Sequence, residues 1–155
     1  MRAGRRLGVD VGDVRVGVAT CDPDGLVATP VETVAAGPEC IPRISELAVD
    51  YDVIEIVVGL PVSLSGREGP AAAKVRSFAA GLATAVAPVS VRLVDERMST
   101  MTADSQLRAS GLAGTNKQSG KKRRAVIDQA AATVILQAAL DAERTRNEPP
   151  GERVQ

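Results

Sequence analysis

Leu7-Gly8-Val9-Asp10-Val11-Gly12-Asp13-Val14-Arg15-Val16-Gly17-Val18-Ala19-Thr20 is the stretch on which the fold turns. It contains two β-branched runs, Leu7 to Val11 and Val14 to Thr20, separated by Gly12-Asp13, which is good turn chemistry. A third run, Leu26 to Val34, follows the turn Asp22-Pro23-Asp24-Gly25. Three strands joined this closely make an antiparallel meander. Strand alternation places Gly8, Asp10 and Gly12 on one face, so the carboxylate is flanked by positions without side chains. That leaves room for a metal ion and a phosphate. The same residues also suit a plain hairpin start with Asp10 on a solvated face.

Beyond the meander the period changes. Ile41, Ile44, Leu47 and Ala48 fall at helical spacing across about Pro42 to Tyr51, and Val53 to Gly59 is then an apolar run interrupted only by Glu55. A loop from Pro61 to Gly69 precedes a helix through Ala71 to Ala85, and Pro88 breaks that pattern before a strand from Val89 to Val94. A further helix is expected from about Thr100 to Ala109, then a loop from Gly111 to Gly120, and a last helix from about Lys122 to Arg144. The order predicts an α/β fold: a five-stranded mixed sheet, three antiparallel strands then two parallel ones, flanked by helices. Residues 1–6 read as a basic, frayed extension, 7–144 as one domain, and 145–155, with two prolines and Gly151, as a disordered tail.

Composition narrows the chemistry. The 155 residues are 45% hydrophobic but only 1% aromatic, so Val, Ile, Leu and Ala must build the core, as in parallel strands covered by Ala-rich helices. Basic and acidic side chains balance at 19 each, so any affinity for nucleic acid must come from local patches. The absence of histidine removes His-based nucleophilic triads and imidazole acid-base chemistry. Cys21 and Cys40 read as small buried hydrophobes. No secretory pattern and no apolar run near the roughly 18 residues of a bilayer span is evident, so a cytoplasmic protein without membrane contact is expected.

Three carboxylates are unusual for their positions. Asp10 has been described. Asp95-Glu96-Arg97-Met98 leaves the carboxyl end of the last predicted strand, the edge where open α/β sheets bind ligands. Glu96 shares the face of Val94 and Arg92 while Asp95 alternates away; with the strand ending at Val94, Asp95 competes as a ligand, and either acid could serve only the start of a helix. Asp128 lies beside an apolar stripe, with Ala131, Ala132, Ile135 and Ala139 at i+3, i+4, i+7 and i+11. A buried carboxylate there needs a cation, and a divalent metal is the economical one. Oxygen ligands gathered without histidine suit phosphodiester hydrolysis by two hard cations sharing a carboxylate.

Lys117, Lys121, Lys122, Arg123 and Arg124 precede Asp128. Cations at a helix start oppose its dipole, a cost that a phosphate partner would relieve. If all five met single-stranded phosphates, log affinity would fall against log salt with a slope of at most about −3.5.

Together these motifs resemble the YqgF/RuvX family, known as pre-16S rRNA nucleases and Holliday junction resolvases. The resemblance rests on Gly8-Val9-Asp10-Val11-Gly12 with Arg15-Val16-Gly17-Val18-Ala19, on Val57-Val58-Gly59-Leu60-Pro61, on Val94 to Thr100, and on Lys122 to Leu136 with Ile127-Asp128-Gln129-Ala130-Ala131. It implies a ribonuclease H-like fold, Asp10, Glu96 and Asp128 as catalytic metal ligands for Mg²⁺ or Mn²⁺, and two ions. It marks Arg15, Arg97 and the Gly59-Leu60-Pro61 turn as substrate or structural positions. With the basic run, the expected substrate contacts are Arg15, Arg97, Lys121, Lys122, Arg123 and Arg124. Asp13 departs from the uncharged or basic residue expected after Gly12 and brings an extra negative charge.

The reading expected first is a nuclease maturing the 5′ end of precursor 16S ribosomal RNA. A Holliday junction resolvase would use the same site twice, in a homodimer. A nucleotide-binding actin-like module and a non-catalytic nucleic-acid binder are the readings from other classes.

Overall fold

The computed structural model of the chain describes residues 1–99 and 120–155, without the side chains of residues 98, 99 and 120–125. The expected helix from Thr100 to Ala109, the loop to Gly120 and Lys117 lie outside the described residues, as do the side chains of Lys121, Lys122, Arg123 and Arg124.

Strands β1 (Arg6–Val11), β2 (Arg15–Cys21) and β3 (Ala28–Ala35) form the meander. They are followed by α1 (Cys40–Asp50), β4 (Glu55–Leu60), α2 (Pro70–Val86) and β5 (Ser90–Asp95). A single 3-10 turn, Glu96–Ser99, leaves β5, and the helix Gly120–Arg146, here α3, precedes a short β6 (Glu152–Arg153). Pro70 opens α2 at its first turn, where its missing N–H costs nothing.

The sheet order is β3-β2-β1-β4-β5-β6. β1 pairs antiparallel with β2 and parallel with β4, which is parallel to β5. The first five strands follow the predicted directions, and the ribonuclease H-like α/β architecture is the one expected. On one face Leu7, Val9, Val16, Val18, Ile56 and Val58 are buried beneath α1 and α2. On the other, Ala19, Cys21, Val57 and Val94 meet Ala132, Ile135, Leu136 and Leu140 of α3. Each Val, Leu or Ile side chain among them contributes roughly 1.5–3 kcal/mol when fully buried. Both cysteines are buried and free, as expected. Among the described residues no helix is long and apolar enough to cross a membrane.

Two sequence expectations are corrected. Residues 145–155 are not a disordered tail: α3 runs to Arg146, Gly151 turns at φ +66°, and β6 adds a sixth, antiparallel strand on β5. The reason is the edge of β5, whose backbone groups need partners; Val154 N–H donates to Val91 O at 2.8 Å, and Arg76 of α2 binds Glu152 at 2.8 Å. Residues 1–6 are not frayed either. Ile54 N–H donates to Arg5 O at 2.8 Å, and Arg2 reaches Glu143 at 2.7 Å and Glu55 at 2.9 Å. Arg6, fully buried, pairs with Glu143 at 3.0 Å, and Arg92 pairs with Glu55 at 2.8 Å. Glu55, an interruption in the sequence pattern, is thus a buried ion-pair centre.

Candidate active site

β1 and β5 run parallel on either side of β4, so their carboxyl ends share one edge of the sheet. Asp10 is the penultimate residue of β1, and Glu96 is the first residue past β5. Between them β4 ends in Gly59-Leu60. A Cβ on Gly59 would stand 3.0 Å from both Cγ and Oε1 of Glu96 and 2.6 Å from Ile135 Cδ1. The missing side chain is what lets Glu96 reach over β4 to Asp10, with which it shares a hydrogen bond.

Asp128 arrives from the other direction. Gly17 of β2 lies opposite Asp10 in the ladder, and a Cβ on Gly17 would collide with the backbone carbonyl of Asp128. α3 therefore rests on bare backbone at this point, setting Asp128 beside Asp10. Gly8, whose Cβ would meet Leu136 at 2.6 Å, extends the same seat.

The electrostatics follow from this crowding. Burial, then the neighbouring Asp10 charge, pushes the Glu96 carboxyl up to about 7. Protonated Glu96 donates to Asp10, whose own carboxyl is raised by burial and by the charge of Asp128, against that hydrogen bond. Asp95 alternates to the opposite face, where Arg97 grips it at 2.5 Å and holds its carboxyl below the usual range. The competing ligand is thus already engaged.

Asp128 is not the deeply buried acid that its stripe position suggested. Its side chain is 26% exposed and accepts from Arg15 Nε at 3.0 Å, so a guanidinium already answers its charge. As the side chains stand, no three His, Cys, Asp or Glu groups among the described residues surround a position for a metal ion. The donor set nonetheless fits a hard divalent cation: two acids that resist ionising together, and a third close enough to raise one of them, all offering oxygen.

Of the predicted substrate cations, Arg15 and Arg97 stand at this edge, both held by internal carboxylates. Lys121 to Arg124 fall in the first turns of α3. The extra charge at Asp13 is balanced by an ion pair with Lys74 of α2, which holds Asp13 below its usual range. Neither the Asp13–Lys74 pair nor the Arg15–Asp128 pair was visible in the sequence, since each joins residues far apart along the chain.

The sheet and its helices define a ribonuclease H-like protein, and the solved structures that share this fold include RuvC. Thermus thermophilus RuvC in complex with a Holliday junction substrate matches with a TM-score of 0.58 at 19% identity, over 95% of this chain and 99% of that one. RuvC from the same organism matches in a second structure at 0.57. Within that class the chain belongs to the RuvX family, described as Holliday junction resolvase, whose model matches residues 4–142. A Streptomyces coelicolor relative named "Putative pre-16S rRNA nuclease" is 60% identical, over 100% of this chain and 90% of its own length. Relatives of the same name from Thermobifida fusca and Mycobacterium leprae are 53% and 54% identical, over 100% and 89% of this chain.

Proposed function

We propose that the chain is a divalent-metal-dependent nuclease that hydrolyses phosphodiester bonds in precursor 16S ribosomal RNA, with Asp10, Glu96 and Asp128 as its metal ligands. The observation that carries this reading is the Asp10–Glu96 pair itself. Two carboxyls are hydrogen-bonded to each other across a glycine gap at the carboxyl edge of the sheet, with a third acid alongside. Like charges brought this close disfavour ionising together, and a divalent cation between them offsets that cost.

Asp10 and Glu96 would hold Mg²⁺ or Mn²⁺ between them, with Glu96 giving up its proton, and Asp128 would join by turning from Arg15. When bound, the metal, in one or two ions, lowers the pKa of an attacking water and neutralises charge at the phosphate. Arg15, freed in that exchange, is placed to meet a phosphate oxygen. Lys121, Lys122, Arg123 and Arg124 belong to the helix that delivers Asp128, and their sequence positions suit contacts to the flanking backbone. Arg97 orients the turn that carries Glu96 by gripping Asp95.

The family description and the RuvC-like fold support a second reading, a Holliday junction resolvase working as a dimer. The two are separated by a side-by-side cleavage assay with Mg²⁺ or Mn²⁺ at fixed salt, comparing a precursor 16S fragment with a four-way DNA junction. The expected result is faster RNA cleavage by the wild type and a loss of at least about a thousand-fold in Asp10→Asn, or about 4 kcal/mol of barrier, with the melting temperature maintained. Paired nicking of the junction by a dimer would move the substrate to DNA. Undiminished metal-dependent cleavage by Asp10→Asn would remove the proposed site.

A further inference from the structure

The loop between β4 and α2 starts beside the carboxylates. It is internally braced: Ser63 N–H donates to Arg67 O at 2.9 Å, Gly66 N–H to Ser63 O at 2.8 Å, and Arg67 N–H to Ser63 Oγ at 3.1 Å. Gly66 takes φ +86°, which closes the turn. Arg97, next to Glu96 in the chain, donates through Nη1 to Ser63 O at 3.3 Å and Leu64 O at 3.4 Å. The loop is therefore fastened to the same turn that carries Glu96.

At its tip Leu64 is 96% exposed, more than any other large apolar side chain among the described residues. A stiff loop does not need an exposed leucine for stability. Beside it, Arg67 has no carboxylate partner among the described residues, because the adjacent Glu68 is taken by Arg76 at 2.6 Å. The tip thus pairs an apolar prong with a free positive charge.

We propose that this loop is a wedge for paired nucleic acid: Leu64 enters the base stack near the scissile phosphate while Arg67 meets the backbone. The proposal rests on a nucleic-acid substrate, as in the preceding reading, and adds how a paired region is opened at the site. Apolar side chains of this size unstack base steps when backed by cationic contacts. An arginine with no carboxylate partner among the described residues, on a loop fastened to the turn of Glu96, favours a polyanion as the occupant. Reach is adequate too: Gly59 touches Glu96, and the five residues from there to Leu64 span at most about 18 Å. At 3.4 Å per base along one strand, that is within about five base steps.

The test uses the full chain and two probes, an RNA duplex with a single-stranded extension and a four-way DNA junction, each with 2-aminopurine at the pair adjoining the branch. Binding is followed by anisotropy and unstacking by 2-aminopurine fluorescence, with Ca²⁺ in place of Mg²⁺; cleavage is measured separately in Mg²⁺. The expected result is a fluorescence rise on binding wild type that is lost in Leu64→Ser and kept in Leu64→Met, with thermal melts of all three unchanged. Arg67→Ala should lower the slope of log affinity against log salt by about one. An equal rise with Leu64→Ser, or none with bound wild type, overturns the wedge. Cleavage by wild type without a Leu64-dependent rise would leave the nuclease reading standing alone. A Leu64-dependent rise without cleavage of any probe would do the reverse, and failure of wild type to bind either probe would overturn both.

Discussion

The two ends of the parallel strands hold charge in opposite ways. At the amino ends of β1, β4 and β5, Glu55 and Glu143 are buried among Arg2, Arg6 and Arg92 with every carboxylate paired. At the carboxyl ends, Asp10 and Glu96 are crowded together, and Arg15 is paired with the neighbouring Asp128. The first arrangement fastens both termini to the sheet, since Arg2 precedes β1 and Glu143 lies in the last turns of α3. The second presses two carboxyls together, and burial, with the charge of a neighbouring acid, raises both. Carboxylates paired with arginines at one end and carboxylates pressed against each other at the other distinguish the two edges of the sheet.

The comparison breaks most visibly at the paired end. Glu143→Ala leaves Arg6 buried without its carboxylate, and losses of that kind cost about 3–5 kcal/mol. Urea denaturation should show this as a lower midpoint with metal-dependent cleavage retained at low temperature. A loss under about 1 kcal/mol would mean that the network is ornamental to stability.

pH should move the two ends in opposite directions. Glu96 sits at about 7, while an unfolded glutamate titrates near 4.3. Between those values the folded chain keeps a proton that the unfolded chain has released, so stability in EDTA falls as pH rises through this window. Glu143 is pushed up by burial but held below its usual range by Arg2 and Arg6. Its contribution is complete above the ordinary glutamate range and is lost as pH falls below it. Thermal melts from pH 4 to 8 should show the fall toward pH 7 flattened in Glu96→Gln; an unchanged profile there would assign the dependence elsewhere.

Much of this was legible in the sequence, and what was not has a common cause. Alternation placed Gly8 and Asp10 on the face that receives α3, and the stripe of Ala132, Ile135 and Ala139 is buried as its spacing requires. Glu96 keeps the facing of Val94 even though it stands in the 3-10 turn past the strand. The misreadings involve partners remote in sequence. Arg15 lies 113 residues from Asp128, Arg6 lies 137 from Glu143, and nothing local links either pair. Charged or proline-rich termini read as disordered because such composition usually is. Here Arg2 and Arg6 found buried carboxylates, and the Gly151 turn brought Glu152 onto an open strand edge. Leu64 could have been singled out as an apolar residue at the tip of a Ser-Gly turn, but its exposure is a tertiary fact.

The smallest expected effect concerns Arg15. Its pair with Asp128 is partly exposed, so Arg15→Ala should cost no more than about 1 kcal/mol of metal-free stability. Removing the competing cation should tighten divalent binding by about 2- to 5-fold, the equivalent of about 0.5–1 kcal/mol. Weaker metal binding in this variant would show that Arg15 supports the site instead of competing for it.

The most direct test of the central claim is calorimetric titration of Mn²⁺ into the metal-free wild type and Asp10→Asn at pH 7. The expected result is wild-type binding accompanied by proton release from Glu96, seen as a dependence of the heat on buffer ionisation, and at least a ten-fold loss of affinity in the variant. Equal binding by both proteins, or no binding by the wild type at millimolar Mn²⁺, would contradict the assignment of Asp10, Glu96 and Asp128 as a metal site.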